Sequence, residues 1–200
     1  ENKVYVCGVR RDLDNKGTGR MELSELEFDN HIVREVSRYR IPGPPPDNEY
    51  CMKNCTPIED NPFHLLKWTN PTALMKFYPE GKDTEVFEKN SYIPMKNDMR
   101  GGSQVIKYKD GYLTLIHETD LYKSEQGNKN ATYRHRFVYW DKEFKNQKFS
   151  KIFSFLNMKI EFCCGLAQYH DDFLITFGAQ DNAAYILRAP ISFVEEFINE

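Results

Sequence analysis

No stretch of this chain approaches the roughly 18–20 consecutive apolar residues a membrane helix needs. Nor does it open with a basic segment followed by an apolar one, as a signal peptide would, or with an initiator Met. It starts at Glu1 and runs almost at once into the strand-like Val4-Tyr5-Val6-Cys7, so it is expected to begin inside a domain. An excess of one charge is also missing. Lys and Arg number 27 against 30 Asp and Glu, a formal charge of -3, and no basic field advertises nucleic acid or anionic lipid. No nucleic-acid or membrane partner is expected. The five cysteines (Cys7, Cys51, Cys55, Cys163 and Cys164) are odd in number and show no C-x-x-C pair, and His64 is not placed to complete a zinc knuckle. This excludes a disulfide scaffold and implies mostly buried, reduced thiols in a cytoplasmic protein without a metal centre. Cys51 and Cys55 are spaced loosely for a metal pair, and the triplets beginning at Asn54 and Asn130 fit the glycosylation pattern without fixing a compartment. Dinucleotide, P-loop, serine-elbow and zincin signatures are all absent, so nucleotide hydrolysis, serine chemistry and zincin proteolysis lack support.

What is abundant is aromatic side chains: 14 Phe, 12 Tyr and 2 Trp, or 14% of the chain. Strands favour aromatics, and so do sugar-binding clefts. The apolar pattern is short and two-periodic, predicting strands over 4–9, 21–28, 32–36, 63–68, 73–77, 84–87, 103–108, 112–117, 133–140, 152–155, 162–169, 173–177 and 184–187. Turn chemistry bounds them, as in Asn15-Lys16-Gly17, Lys109-Asp110-Gly111 and His170-Asp171-Asp172. Only Ile191–Asn199 reads as a helix, with apolar residues at 191, 193, 194, 197 and 198. The tract Pro42-Gly43-Pro44-Pro45-Pro46 must be a loop, but the strand rhythm resumes beyond it, so residues 1–200 are one domain. Strand pairs recur near residues 60, 103 and 162, a spacing of about 50 residues that suits four-stranded propeller blades.

Several clusters could carry chemistry. In Arg100-Gly101-Gly102-Ser103 the glycines would let a ligand approach the backbone beside a planar cation, or they are a turn with a surface Arg. His117-Glu118 ends an apolar strand, where it is either a hydrogen-bonded structural pair or a titratable pair at a cleft. Along Tyr133–Phe137, alternation places Tyr133 and His135 on one face and Arg134 and Arg136 on the other. Glu161, between Ile160 and Phe162, is a carboxylate in a stretch expected to be buried, so it needs a partner. Asp181 follows the strand ending at Phe177 and reads most simply as a turn residue.

In order, these motifs resemble the later blades of the five-bladed β-propellers of glycoside hydrolase family 130, the β-mannoside phosphorylases and their hydrolytic relatives. Gly111–His117 is similar to the family's Gly-Trp-Leu strand ending in Tyr-His-Gly, and Leu174–Asp181 to its strand ending in Tyr-Gly-Ala-x-Asp. Ile160–Leu166 is a further matching stretch, Lys53-Asn54 with Pro57 stands where the family opens a blade, and Arg100–Ser103 at its Gly-rich turn. The resemblance spans most of 3–190 and implies an all-β propeller with about four blades present and a short C-terminal helix. It further implies Lys53, Arg100 and His117 near an anion or phosphate subsite, with Arg11 a weaker candidate. Asp181 and Asn54 would bind sugar hydroxyls, with Tyr133, His135, Arg136 and Glu161 lining the pocket. The family's proton donor, an Asp in an acidic-Asp-Pro-Arg turn, has no counterpart here, and Arg11-Asp12-Leu13-Asp14 does not match it. Five blades also need about 250–300 residues at this repeat length, so further polypeptide upstream is expected.

Two functions follow. The first is an inverting β-mannoside phosphorylase or hydrolase, acting on an oligosaccharide or glycoside, with inorganic phosphate as co-substrate and no other cofactor. Lys53, Arg100 and His117 would clamp the phosphate, and Glu161 and Glu118 are the candidates for a hydrolytic base. The second is a non-catalytic glycan-binding module of a larger glycan-processing or glycosyltransferase protein. A protein–protein scaffold is the reading that fold alone would support.

Overall fold

The computed structural model describes residues 3–12, 17–46, 51–127 and 129–199. Its strands form antiparallel sheets that follow one another along the chain. The first contains β1 (Val4–Arg11), β2 (Gly19–Asp29) and β3 (Ile32–Arg40) in that order. The second runs β4 (Thr56–Ile58), β5 (Asn61–Trp68), β6 (Ala73–Lys76) and β7 (Glu85–Glu88). The third holds β8 (Asp98–Gly101), β9 (Ile106–Tyr108), β10 (Gly111–Lys123), β11 (Lys129–Asp141) and β12 (Gln147–Phe149), ordered β12-β11-β10-β8 with β9 also paired to β10. The fourth is β13 (Glu161–Tyr169), β14 (Asp172–Ala179) and β15 (Ala183–Pro190), followed by the helix α1 (Ile191–Asn199). The result is four antiparallel sheets and one short C-terminal helix among the described residues. No described helix is long and apolar enough to cross a membrane.

Each core lies between consecutive sheets. Met21 and Leu23 of the first sheet pack with Leu65 and Met75 of the second and with Phe77 just beyond β6. Leu66 and Leu74 of the second meet Ile116, Val138 and Trp140 of the third. Leu113, Leu115 and Phe137 of the third meet Leu166, Phe173 and Ile175 of the fourth, with Val194 of α1 closing the end. Because β10 is covered on both faces, its residues 113–119 are buried continuously, whereas β14 has a two-periodic burial pattern. Burying both faces of a strand erases the alternation that would otherwise reveal its direction.

The observed elements differ from the sequence pattern in places. Residues 152–155 form no strand. Phe153 makes a single bridge to His135, and the following backbone N–H groups are taken by a carboxylate. The stretch 103–108 yields only β9, because Ser103 uses its hydroxyl as well as its backbone to reach β10. The three- and four-residue strands β4, β8 and β12 are too short to show a period. Residues 15 and 16 of the first predicted turn, and Leu13 and Asp14, lie outside the described residues. Among the free thiols Cys55 and Cys163 are buried, Cys7 and Cys51 half-buried, and Cys164 exposed, against the expectation of general burial. Burial pushes the Cys7 and Cys163 thiols up to about 12, so neither is a nucleophile at neutral pH.

Candidate functional site

The opening strand of every sheet, β1, β4, β8 and β13, is an edge strand, and all of them line one cleft of about 870 Å³. A second cleft of about 390 Å³ lies between the second and third sheets and shares Lys53, Asn54, Cys55 and Gly101 with it. Polar residues far apart in sequence meet here because each is carried at or beside an opening strand.

Gly101 and Gly102 are the joint. A Cβ on Gly101 would sit 2.1 Å from the Asn54 carbonyl oxygen, and one on Gly102 would sit 2.6 Å from the Leu115 oxygen and 3.1 Å from that of Cys163. The glycines therefore admit the chain's own backbone from three neighbouring segments. They also stand in and just after a strand, not in a turn. Asn54 itself adopts a left-handed φ of 62°, which Asn tolerates better than most residues.

Around this joint the structure collects Lys53, Asn54, Arg100 and His117. Arg100 lines the smaller cleft, half-buried, with an ion pair to Asp98 at 3.3 Å. It stands opposite His117 in the β8–β10 ladder. His117 is 2% exposed, and its ring packs 5.0 Å from those of both Tyr133 and Phe162. Burial first, then the charges of His135, Arg100 and Lys53, pull its pKa down to about 3, while a hydrogen bond with the Gly101 backbone works the other way. His117 is thus a neutral imidazole within electrostatic range of two cations, and its Nδ1 has no partner among the described residues. His135 faces it across β11, fully buried, with Nε2 accepting the Cys163 N–H at 3.3 Å. That bond puts the His135 proton on Nδ1, and burial holds its pKa near about 4.

Other sequence candidates have different neighbours. Glu118 and Arg136 project from the opposite face of the same sheet and form an ion pair with each other, the carboxylate buried and the guanidinium half-buried. Asn97 donates to the second Glu118 oxygen at 3.2 Å, and Arg136 donates to the Ser150 carbonyl at 2.7 Å. Glu161, fully buried, accepts the N–H groups of Phe155, Leu156 and Met158 at 2.6, 2.9 and 2.8 Å. Both carboxylates are thereby engaged in holding the fold. Asp181 sits exposed in the β14–β15 turn with φ 53°, and neither it nor Arg11, at the end of β1, nor His117, Tyr133, His135 or Arg136 lines either cleft. No cluster of three or more His, Cys, Asp or Glu side chains able to hold a metal occurs among the described residues.

The sequence reading passed over the wall of the smaller cleft, which includes Lys67, Trp68, Asn70, Tyr92, Asn97 and Asp98. The available signal was Trp68, one of only 2 tryptophans, closing an apolar run. Nothing local marked Tyr92.

No protein-family model and no curated protein matches the chain. Solved structures do. A mannose phosphorylase from Leishmania mexicana, determined in complex with a phosphate ion, is similar at a TM-score of 0.54 and 11% identity, over 96% of this chain and 65% of its own. A GDP-Man-dependent mannosyltransferase from the same organism is similar at 0.54 and 12% identity, over 96% of this chain and 66% of its own. The chain spans about two thirds of the length of these structures, and at such identities the likeness is one of fold.

Proposed function

We propose that this chain is a carbohydrate-active β-propeller portion, of the type of the inverting β-mannoside phosphorylases and glycosidases, that binds an anion and a glycan where its sheets converge. The observation that carries this is the gathering of Lys53, Asn54 and Arg100 in one cleft beside the opening strands, with His117 buried opposite Arg100. Likeness in fold to a phosphate-bound mannose phosphorylase supports it. In phosphorolysis a phosphate oxygen bonds to the anomeric carbon as the glycosidic C–O bond breaks, and the departing oxygen takes a proton from an acid. Lys53 and Arg100 would hold the phosphate in line, with the neutral His117 buried behind Arg100 and adding no charge to the site.

The acid must come from elsewhere. We propose that further polypeptide supplies it, together with a fifth sheet beside the first and fourth, whose exposed Val6 and Ile186 it would cover. A second reading, a glycan-binding module without turnover, is favoured by the engagement of Glu118 and Glu161 within the fold. Phosphate titration followed by ³¹P NMR tests the anion site. Arg100→Ala should weaken phosphate binding by about tenfold or more, the scale of one charged hydrogen bond; unchanged binding removes Arg100 from the site. Mannose 1-phosphate formation from β-mannobiose and phosphate, in a protein extended to carry the acid, separates the enzyme from the binding module.

A further inference from the structure

The outer edges of the four sheets, away from the cleft, are β3, β7, β12 and β15. An edge strand offers unpaired backbone N–H and C=O groups to any other chain, and folded proteins blunt it with charge, bulges, proline or brevity. β3 carries Arg34, Glu35, Arg38 and Arg40, and a bulge interrupts its ladder with β2. β7 is four residues long with Glu85 and Glu88 at its ends, and β12 is three residues centred on Lys148. β15 is different. It runs for 8 residues, its ladder with β14 is unbroken from Ala183 to Pro190, and its proline comes last. Its one charge, Arg188, is held on its own sheet, donating to Asp172 at 2.6 Å. Over Ala183–Leu187 neither charge, bulge nor proline protects the edge. Among the described residues β15 pairs with β14 only.

This edge is apolar on both faces. Ile186 is 74% exposed on one, and Tyr185 and Leu187 are 41% and 40% exposed on the other. Tyr185 ends a row of stacked rings that crosses the sheet, Phe155 to Phe177 at 4.1 Å and Phe177 to Tyr185 at 5.3 Å. A sheet stacked over the fourth would cover Ile186 but leave the backbone of this edge open. A second copy of the chain fits it. With β15 antiparallel to its own copy about a two-fold axis at Ile186, the two Ile186 side chains meet. Tyr185 then faces the second copy's Leu187, and the reverse pair forms as well, which extends the row of rings. Arg188 falls opposite the second copy's Ala184. The two guanidinium groups therefore stand four positions apart, about 13 Å along the strand and beyond the screening length. No like charges oppose each other.

We propose that β15 is a dimerisation edge, through which two copies of this chain join their fourth sheets into one continuous sheet with three strands from each. β15 lies on the far side of its sheet from β13, so the pairing leaves the cleft open. The inference stands independently of the glycan reading. Sedimentation equilibrium between roughly 1 and 200 μM should show a monomer–dimer equilibrium. Hydrogen exchange should slow, as the dimer fills, at the β15 amides that face away from β14. Ile186→Lys sets two ammonium groups against each other at the axis and should weaken the dimer by about tenfold or more, while mixing it with Ile186→Glu should restore pairing as a mixed dimer. Ala184→Glu faces the second copy's Arg188 at both ends and should tighten the dimer by about threefold, a gain that misfolding would not produce. Unchanged circular dichroism will show that the variants are folded. A monomer throughout, with the β15 amides exchanging freely, leaves the edge bare and refutes the proposal. A monomer with those amides protected shows that the protein's own polypeptide supplies the covering strand, and refutes it equally. A dimer indifferent to all three variants is held by another surface, and growth beyond two copies shows that the edge does not close on itself; either result overturns the pairing.

Discussion

Lowering the pH from 7 to 5 should destabilise this protein through two buried imidazoles. His117 and His135 pair across β10 and β11, 2% and 0% exposed, with the cations Arg100 and Lys53 beside the first and Arg134 near the second. Burial pulls their pKa values down to about 3 and about 4. In the unfolded chain both titrate near about 6.5. Between these values the unfolded state binds protons that the native state refuses, so stability falls as pH falls below about 6.5 and the loss levels off near the folded values. Each imidazole costs about 2 kcal/mol between pH 7 and pH 5, and the two together about 4 kcal/mol, a large share of a typical domain's stability. Urea denaturation followed through buried Trp140 measures this, with the slope compared between wild type and the His117→Gln and His135→Gln variants. NMR of the imidazole C2–H resonances reads each site directly. A flat stability between pH 7 and 5, or either histidine titrating near 6.5 in the folded protein, refutes the argument.

Two further perturbations test the packing that holds the site. Gly101→Ala places a methyl 2.1 Å from the Asn54 carbonyl, so it should destabilise by about 3 kcal/mol or more, whereas Gly8→Ala, with nothing within 4 Å, should shift the urea midpoint little. Equal effects would show that Gly101 is not the joint between sheets. Glu118→Gln breaks the partly buried pair with Arg136 and should cost about 2 kcal/mol, below the range of a fully buried pair, and adding Arg136→Met should restore part of it by removing the stranded charge. If the double variant is no more stable than Glu118→Gln, the pair is not the source of the loss.

The strand-rich character was legible because period-two alternation depends only on neighbours along the chain: β14 and the helix α1 were visible at nearly their observed limits. Elements held by contacts with other sheets were less so. β10 looked as if it ended at His117 but continues to Lys123, paired to β11 throughout. Residues 152–155 are apolar enough for a strand, yet their course follows Glu161, whose carboxylate collects the backbone N–H groups from a few positions upstream. Arg100 and His117 each looked like a plausible surface or edge residue, and only the β8–β10 register sets them side by side.

Composition and short-range pattern were enough for an all-β chain with one terminal helix, since burial on a pleated surface leaves its mark every second residue. Side-chain commitments were beyond such reading. Whether Glu118 faces Arg136 or solvent, whether Gly101 and Gly102 admit a ligand or the chain's own backbone, and whether Trp68 and Tyr92 share a cleft all depend on how separate sheets pack. Those contacts join residues tens of positions apart, and no local periodicity encodes them.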